Sequence, residues 1–224
     1  MQPTYLPWLG YFDLIYSSNV FVFLNDVQFS KQSWQVKNKI MSQGNELMLT
    51  VPIKKSSLST NIDKIIIDDS RPWKKKHLKS IYYSYIKAPF FEEVFPVIER
   101  LINNKLGCLA DFNMAIIKTL SNEIFEKTSF IDSRDLKISS VDKLDRIIKI
   151  CNEVKATDYL SPAGAITYLK SMNFEQRFSN ASIKFSVQNY IPKDYPQLNS
   201  SFKPYLSIVD LLFNQGFKKA KTII

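Results

Sequence analysis

The chain is 224 residues long, 45% hydrophobic and 23% charged, with a formal net charge of +9; this balance suits one α/β domain with a proper core, not a disordered chain. No apolar run approaches the roughly 18 residues of a membrane span, and the first residues lack the basic-then-apolar layout of a signal peptide, so a cytoplasmic protein is expected. Five glycines leave no Gly-rich phosphate loop, and one histidine with two distant cysteines, Cys108 and Cys151, argues against zinc and against a cysteine-nucleophile triad.

From Met1 to Asp13 the chain cannot be an ordinary helix, because Pro3 and Pro7 lack amide donors and push the residues before them to extended geometry. It reads as an ordered loop running into a helical turn near 10–17. Val20 to Leu24 is a continuous apolar run fit for one buried strand, and the polar-aromatic stretch Asn25 to Trp34 follows it directly. Glu46 to Ile53 and Asn61 to Asp68 read as a strand pair, a hairpin closed by the polar turn Lys54 to Thr60. Pro72 opens a helix that runs through Tyr85. Trp73, His77, Ile81 and Tyr85 share one face of it, while Lys74, Lys75, Lys76 and Lys79 point elsewhere.

Ala88-Pro89 ends that helix, and two more follow over Phe91–Asn103 and Leu109–Glu126. Thr128 to Asp132 is a strand. Ser139 or Ser140 caps a helix with the apolar stripe Leu144, Ile147, Ile148 and Cys151. Ala156 to Leu160 is a strand, Ser161 to Gly164 a loop, Ala165 to Lys170 a short helix and Ile183 to Val187 a strand. The proline-punctuated stretch from Tyr190 to Tyr205 is irregular. A closing amphipathic helix covers Ser207 to Asn214. The pattern is one α/β domain over 1–224, with a helical segment at about 72–126 and a flexible basic tail at about 217–224. Interleaved strands and helices predict three layers, a mostly parallel sheet with helices on both faces in the manner of a Rossmann fold.

The chemistry-bearing residues concentrate in two places. Asp26 and Gln28 follow the first buried strand, the usual address of a ligand site in an open α/β sheet. Asp26 is either a general base for an amine or the cap of the next turn, and Gln28 suits a sugar hydroxyl. Lys31, Lys37 and Asn38 either hold a phosphate or carboxylate or are simply solvated. Gln2, Tyr5, Trp8, Tyr11 and Trp34 combine flat apolar faces with polar tips, which suits stacking on a sugar or a base, or the filling of a core. His77 is the one imidazole available for acid–base work. With Trp73 and Tyr85 it walls either a pocket or the edge of a core. Asp210, amid Leu211, Leu212 and Phe213, sits at the polar seam of its helix or pairs with a buried base. No G-x-S-x-G elbow is present.

These residues also carry a resemblance. Gln2 to Phe12, Val20 to Phe23, Asp26-Val27-Gln28 and Ser33-Trp34 to Asn38 are similar to the WbqC-like family. So are Leu49 to Pro52, Trp73 with His77, Tyr85 to Pro89, Tyr159-Leu160-Ser161, and Ser207 to Asn214 with Gly216. Lys37 stands where the family has an arginine and Asn25 where it has an aspartate, and Ser161-Pro162 replaces a Ser-Gly. Lysine lacks arginine's planar two-pronged contact. Family members carry apolar residues ahead of the Gln-Pro pair, so a first strand is short or missing here.

The resemblance implies a cytoplasmic transferase in bacterial O-antigen or lipopolysaccharide synthesis. It would place an acyl or aminoacyl group, such as glycyl, on a nucleotide-linked or lipid-linked amino sugar. No bound cofactor and no metal are implied. The activated donor is a coenzyme A thioester, a carrier-protein thioester or an aminoacyl-tRNA, the last two adding a carrier protein or tRNA as partner. The alternative class is a non-catalytic sugar-nucleotide or carrier-binding protein. A further analogy, to the nucleotide-binding start of HUP-type nucleotidyltransferases, concerns the fold, since their signature histidines are absent.

Overall fold

Strand β1 (Val20–Phe23) buries the aromatic side chains of Phe21 and Phe23 on one face and leaves Val20 exposed and Val22 half-buried on the other, the alternation of a half-buried strand and not the fully buried one expected. The computed structural model describes residues 1–125, 128–169, 172–198 and 201–224. β1 pairs in parallel with β4 (Ser129–Asp132), Phe23 lying opposite Asp132 and stacking on Phe130. Met1 runs beside β1: its ammonium donates to the Val22 carbonyl at 2.7 Å, and its carbonyl accepts from the Leu24 amide at 2.8 Å. The proline loop ends in helix α1 (Leu9–Tyr16), most of which is buried.

β2 (Lys37–Ser42) and β3 (Asn45–Thr50) form an antiparallel hairpin. Gln43 and Gly44 both take positive φ, +49° and +79°, the mirror-image turn that matches strand twist. β3 therefore pairs backwards with β2, not forwards with the expected strand over Asn61 to Asp68. That stretch is instead a 3₁₀ turn at Ile62–Lys64 flanked by single bridges, Ile53 with Ile67 and Ile66 with Cys108. The turn brings Ile62, Ile65 and Ile67 all into the core, which strict alternation could not do.

Helices α2 (Trp73–Tyr85), α3 (Phe91–Ile102) and α4 (Leu109–Ile124) stand where the apolar periodicity puts them. A short α5 (Ser133–Leu136) follows β4 directly. α6 (Lys143–Glu153) is capped by Asp142, whose carboxylate accepts from the Asp145 amide, and not by Ser139 or Ser140. β5 (Asp158–Ser161) and β6 (Lys184–Val187) pair in parallel across α7 (Ile166–Leu169) and α8 (Phe174–Asn180). Glu126 and Lys170, the expected ends of two helices, lie outside the described residues. The described strands thus pair as three two-stranded sheets, two parallel and one antiparallel. A main core spans the chain from Tyr5 to Ile224, and a smaller one joins α6 and α8 through Leu144, Ile147, Phe174 and Phe178.

The expected flexible tail is instead the second half of α9 (Ile208–Ile223), with Phe217, Ala220 and Ile224 buried and Lys193 Nζ donating to the Thr222 carbonyl at 3.1 Å. The helix continues because Gly216, at φ +71° and ψ 168°, kinks it and resumes it. A Cβ there would meet the Phe90 ring at 2.6 Å. Gly216→Ala combines a conformation reserved for glycine with that clash, and unfolding in denaturant should show a loss of about 2–4 kcal/mol.

Candidate functional site

Two parallel strand pairs offer two carboxyl ends, and each collects polar groups. At the end of β1 and β4, Asp26 accepts from the Ser133 hydroxyl and pairs with the Arg146 guanidinium. Ser133 Oγ accepts in turn from the Asn25 amide at 3.1 Å. Arg134 is forked onto Asp132, with its Nη2 2.6 Å from Oδ2, and reaches Asp111 at 2.7 Å. Burial pushes the Asp26 carboxyl up, but the Ser133 hydroxyl and the Arg146 charge outweigh it and hold the carboxyl below its ordinary value. Asp26 is therefore a paired, ionised carboxylate that remains partly open to solvent. The fully buried Asn25 keeps one unpartnered oxygen, Oδ1, in the same cluster.

At the end of β5 and β6, Gln188 follows the last strand residue and ties this end to α1. Its Nε2 donates to the Gly10 carbonyl at 2.7 Å and to Asp13 Oδ2 at 2.6 Å. Two residues on, Tyr190 stands edge-on to Trp8 with ring centres 5.5 Å apart, and Tyr205 lies tilted against Trp8 at 5.4 Å. With Tyr195, Phe202 and Lys203 they line a shallow surface cleft whose own free space is only about 10 Å³, so a ring would lie on it and not inside it. Gly10 makes it possible: a Cβ there would lie 2.2 Å from the Trp8 indole, which folds across the start of α1. The Tyr190 hydroxyl is buried with no partner, and burial together with the Asp13 carboxylate and Tyr205 pushes it up to about 12. An aromatic cluster with an exposed lysine on its rim suits a ring that is apolar on its face and polar at its edge. A wider groove between α8 and β6 is lined mainly by Phe174, Phe178, Ile183 and Phe185 and offers few polar groups.

His77 is enclosed. Its ring packs edge-on against Trp73 at 5.1 Å and its Nδ1 lies 2.9 Å from the Tyr5 hydroxyl. Burial lowers it to about 4, against a backbone hydrogen bond with Thr50, so the ring is neutral at pH 7. The neutral ring donates to the Thr50 carbonyl and accepts a hydrogen bond from the Tyr5 hydroxyl at Nδ1.

The expected site residues therefore separate. Trp8 lines the groove and Asp26 joins the charged end. Gln2, Gln28, Lys31 and Trp34 are exposed, with Gln28 donating to the Leu58 carbonyl and Gln2 accepting from Gln35. Tyr5, Tyr11, Asn38, Trp73 and Tyr85 are buried, each polar tip already used. Tyr11 donates to the Gln2 carbonyl, Trp73 to Asp69 and Tyr85 to Asp210. Asn38 donates to the carbonyls of Tyr5 and Leu6, which holds Leu6 at φ +41°.

Asp210 is neither at a polar seam nor paired with a base; it is fully buried and accepts from Tyr85, Tyr195 and Gln197. Burial pushes both thiols up, Cys151 to about 11. Ser133 and Arg134 directly follow a predicted strand, the same positional signal that singles out Asp26. Arg146, Tyr190 and Tyr205 have no comparable signal. Among the described residues no group of His, Cys, Asp and Glu is arranged to hold a metal, and no helix is long and apolar enough to cross a membrane.

The model of the WbqC-like protein family matches residues 2–222. A protein of Mycobacterium tuberculosis described as the uncharacterized protein Rv1507c is 29% identical over 221 residues, which is 96% of this chain and 92% of the relative. No solved structure matches the chain.

Proposed function

The chain thus belongs to the WbqC-like protein family, and from that premise we propose that it is a cytoplasmic transferase placing an acyl or aminoacyl group on an amino sugar for bacterial surface polysaccharide. The observation that carries the sugar half is the Trp8–Tyr190–Tyr205 groove at the carboxyl ends of β5 and β6. A pyranose lays its apolar face on Trp8, and its hydroxyls meet the polar rim at Lys203. The amine attacks the acyl carbon of a thioester or aminoacyl ester, a C–N bond forms, and the thiol or hydroxyl leaves with the amine's proton. Asp26, held ionised by Arg146, stands at the carboxyl end of the other parallel pair and does not line this groove. The family resemblance, not the geometry, supports the transfer step. The three-layer, Rossmann-like arrangement belongs to the same reading, supported by the two parallel pairs.

A second reading, a sugar-nucleotide or carrier-binding protein without catalysis, is favoured by one observation: His77 is enclosed, both thiols are pushed up and Asp26 is already paired. Mass spectrometry of the purified protein with nucleotide-linked amino sugars and each donor class separates the two. A transferase adds the acyl mass, and Trp8→Ala should weaken sugar binding by about five- to a hundred-fold with the fold intact, given the roughly 1–3 kcal/mol of one lost stacking partner. Sugar binding with no mass change for any donor replaces the transferase by the binding protein.

A further inference from the structure

Helix α2 (Trp73–Tyr85) turns its apolar face, Trp73, His77, Leu78, Ile81 and Tyr85, into the core. Its opposite face is not an ordinary mixed-charge surface. Lys75, Lys76, Lys79 and, two residues past the helix, Lys87 are exposed, and no acidic residue occurs anywhere between Ser70 and Phe91. None of these four lysines forms an ion pair among the described residues. Lys74 is different: it is spent on the Asn104 carbonyl and Asp69.

Large apolar groups stand among the free lysines. Tyr83 is 64% and Ile86 42% exposed, and Lys79 Nζ lies 5.8 Å over the Tyr83 ring. At 100° per residue, Lys75, Ile86, Lys79, Tyr83 and Lys76 fall in that angular order within one face. The acidic groups that flank the stretch are Asp69, which is spent on Trp73 and Lys74, and Glu92 and Glu93 at the start of α3, beyond the Ala88-Pro89 corner.

We infer that this face docks the protein on the anionic headgroups of a phospholipid bilayer. Lysines are strongly hydrated point charges that act at a distance from a phosphate surface. Tyrosine and isoleucine between them fit the depth where an amphipathic ring sits and an aliphatic group dips below it. A nucleic acid would use forked, hydrogen-bonding side chains, and α2 itself carries no arginine, asparagine or glutamine, Arg71 lying ahead of it. The core-facing side of α2 stays packed, so attachment is peripheral and reversible. The docking does not depend on the transfer reaction.

Co-sedimentation of the full chain with vesicles tests this. Binding should be strong on mixed phosphatidylcholine–phosphatidylglycerol vesicles, weak on phosphatidylcholine alone, and lost as salt is raised. Each lysine near an anionic surface contributes a partition factor of roughly five, so Lys75→Ala with Lys76→Ala and Lys79→Ala should reduce binding about a hundred-fold. Tyr83→Ser should reduce it several-fold, and all these exposed changes should leave the melting temperature unchanged. Equal binding to charged and neutral vesicles, or undiminished binding by the triple variant, overturns the inference. So does binding of a transfer RNA that needs the same lysines while vesicles are ignored.

Discussion

Asp210→Ala should cost on the order of 3–5 kcal/mol, the largest loss expected from any single change in this protein. The residue is fully buried, and its two oxygens accept from Tyr85 at 2.8 Å, Tyr195 at 2.8 Å and Gln197 at 2.9 Å. Tyr85 also lies flat on Phe213, 4.6 Å between centres, and its oxygen accepts from the Met41 amide at 3.1 Å. One carboxylate thus joins α9 to α2, to β2 and to the irregular stretch that forms the groove floor. Truncating it strands three donors in the core, whereas Asp210→Asn keeps the shape and one acceptor and should cost about 1–2 kcal/mol.

The pH dependence has a definite sign. Burial raises the Asp210 carboxyl, and the three donated hydrogen bonds only partly offset that. Its contribution is full below the ordinary carboxylate value and is lost as pH rises through the raised one. Measured by urea denaturation, the deficit of Asp210→Asn relative to the parent should therefore shrink as pH rises through that window.

His77 should produce the opposite slope. Its ring is lowered to about 4 by burial, so between the ordinary value of 6.5 and about 4 the unfolded chain binds a proton that the native chain does not. Native stability should fall by about 3 kcal/mol across that window as the solution is acidified. His77→Gln should lose this slope and lower stability at pH 7 by about 1–3 kcal/mol, since Tyr5 and Thr50 then face a misfitted amide. Chemical denaturation of both proteins through the window measures it; an unchanged acid slope in the variant would show that the proton is taken up elsewhere. Activity should fall only in step with folded protein, because the ring is enclosed.

Long, strongly periodic elements were legible from the chain alone. The run Val20 to Phe23, the helices α2, α3 and α4, and the strands β4 and β6 stand where apolar spacing puts them. β2 was not legible, because Lys37-Asn38-Lys39-Ile40-Met41-Ser42 buries Ile40 and Met41 in succession and shows no clean alternation. α8 is only seven residues long and carries its apolar contacts at Phe174 and Phe178 alone. The tail after Gly216 reads as loop because glycine usually ends a helix, whereas here it bends one.

The site divides in the same way. Asp26 is marked by its place after a strand, but Arg146 lies 120 residues away and the pairing that holds the carboxylate ionised is purely tertiary. Trp8 is marked by composition, yet the groove exists only because Tyr190 and Tyr205 converge on it from a stretch with no periodicity. Residues with polar tips on apolar bodies, such as Tyr5, Tyr11 and Tyr85, look alike in a sequence whether the tip meets a ligand or a neighbouring carbonyl.

The measurement closest to the central claim is saturation-transfer NMR of a nucleotide-linked amino sugar with the parent protein, Trp8→Ala and Tyr205→Ser. The sugar-ring protons on the apolar face should receive the strongest transfer, and both variants should lose it while keeping the parental fold. Undiminished transfer in both variants, or transfer confined to the nucleotide, would place the sugar outside the groove and contradict the account.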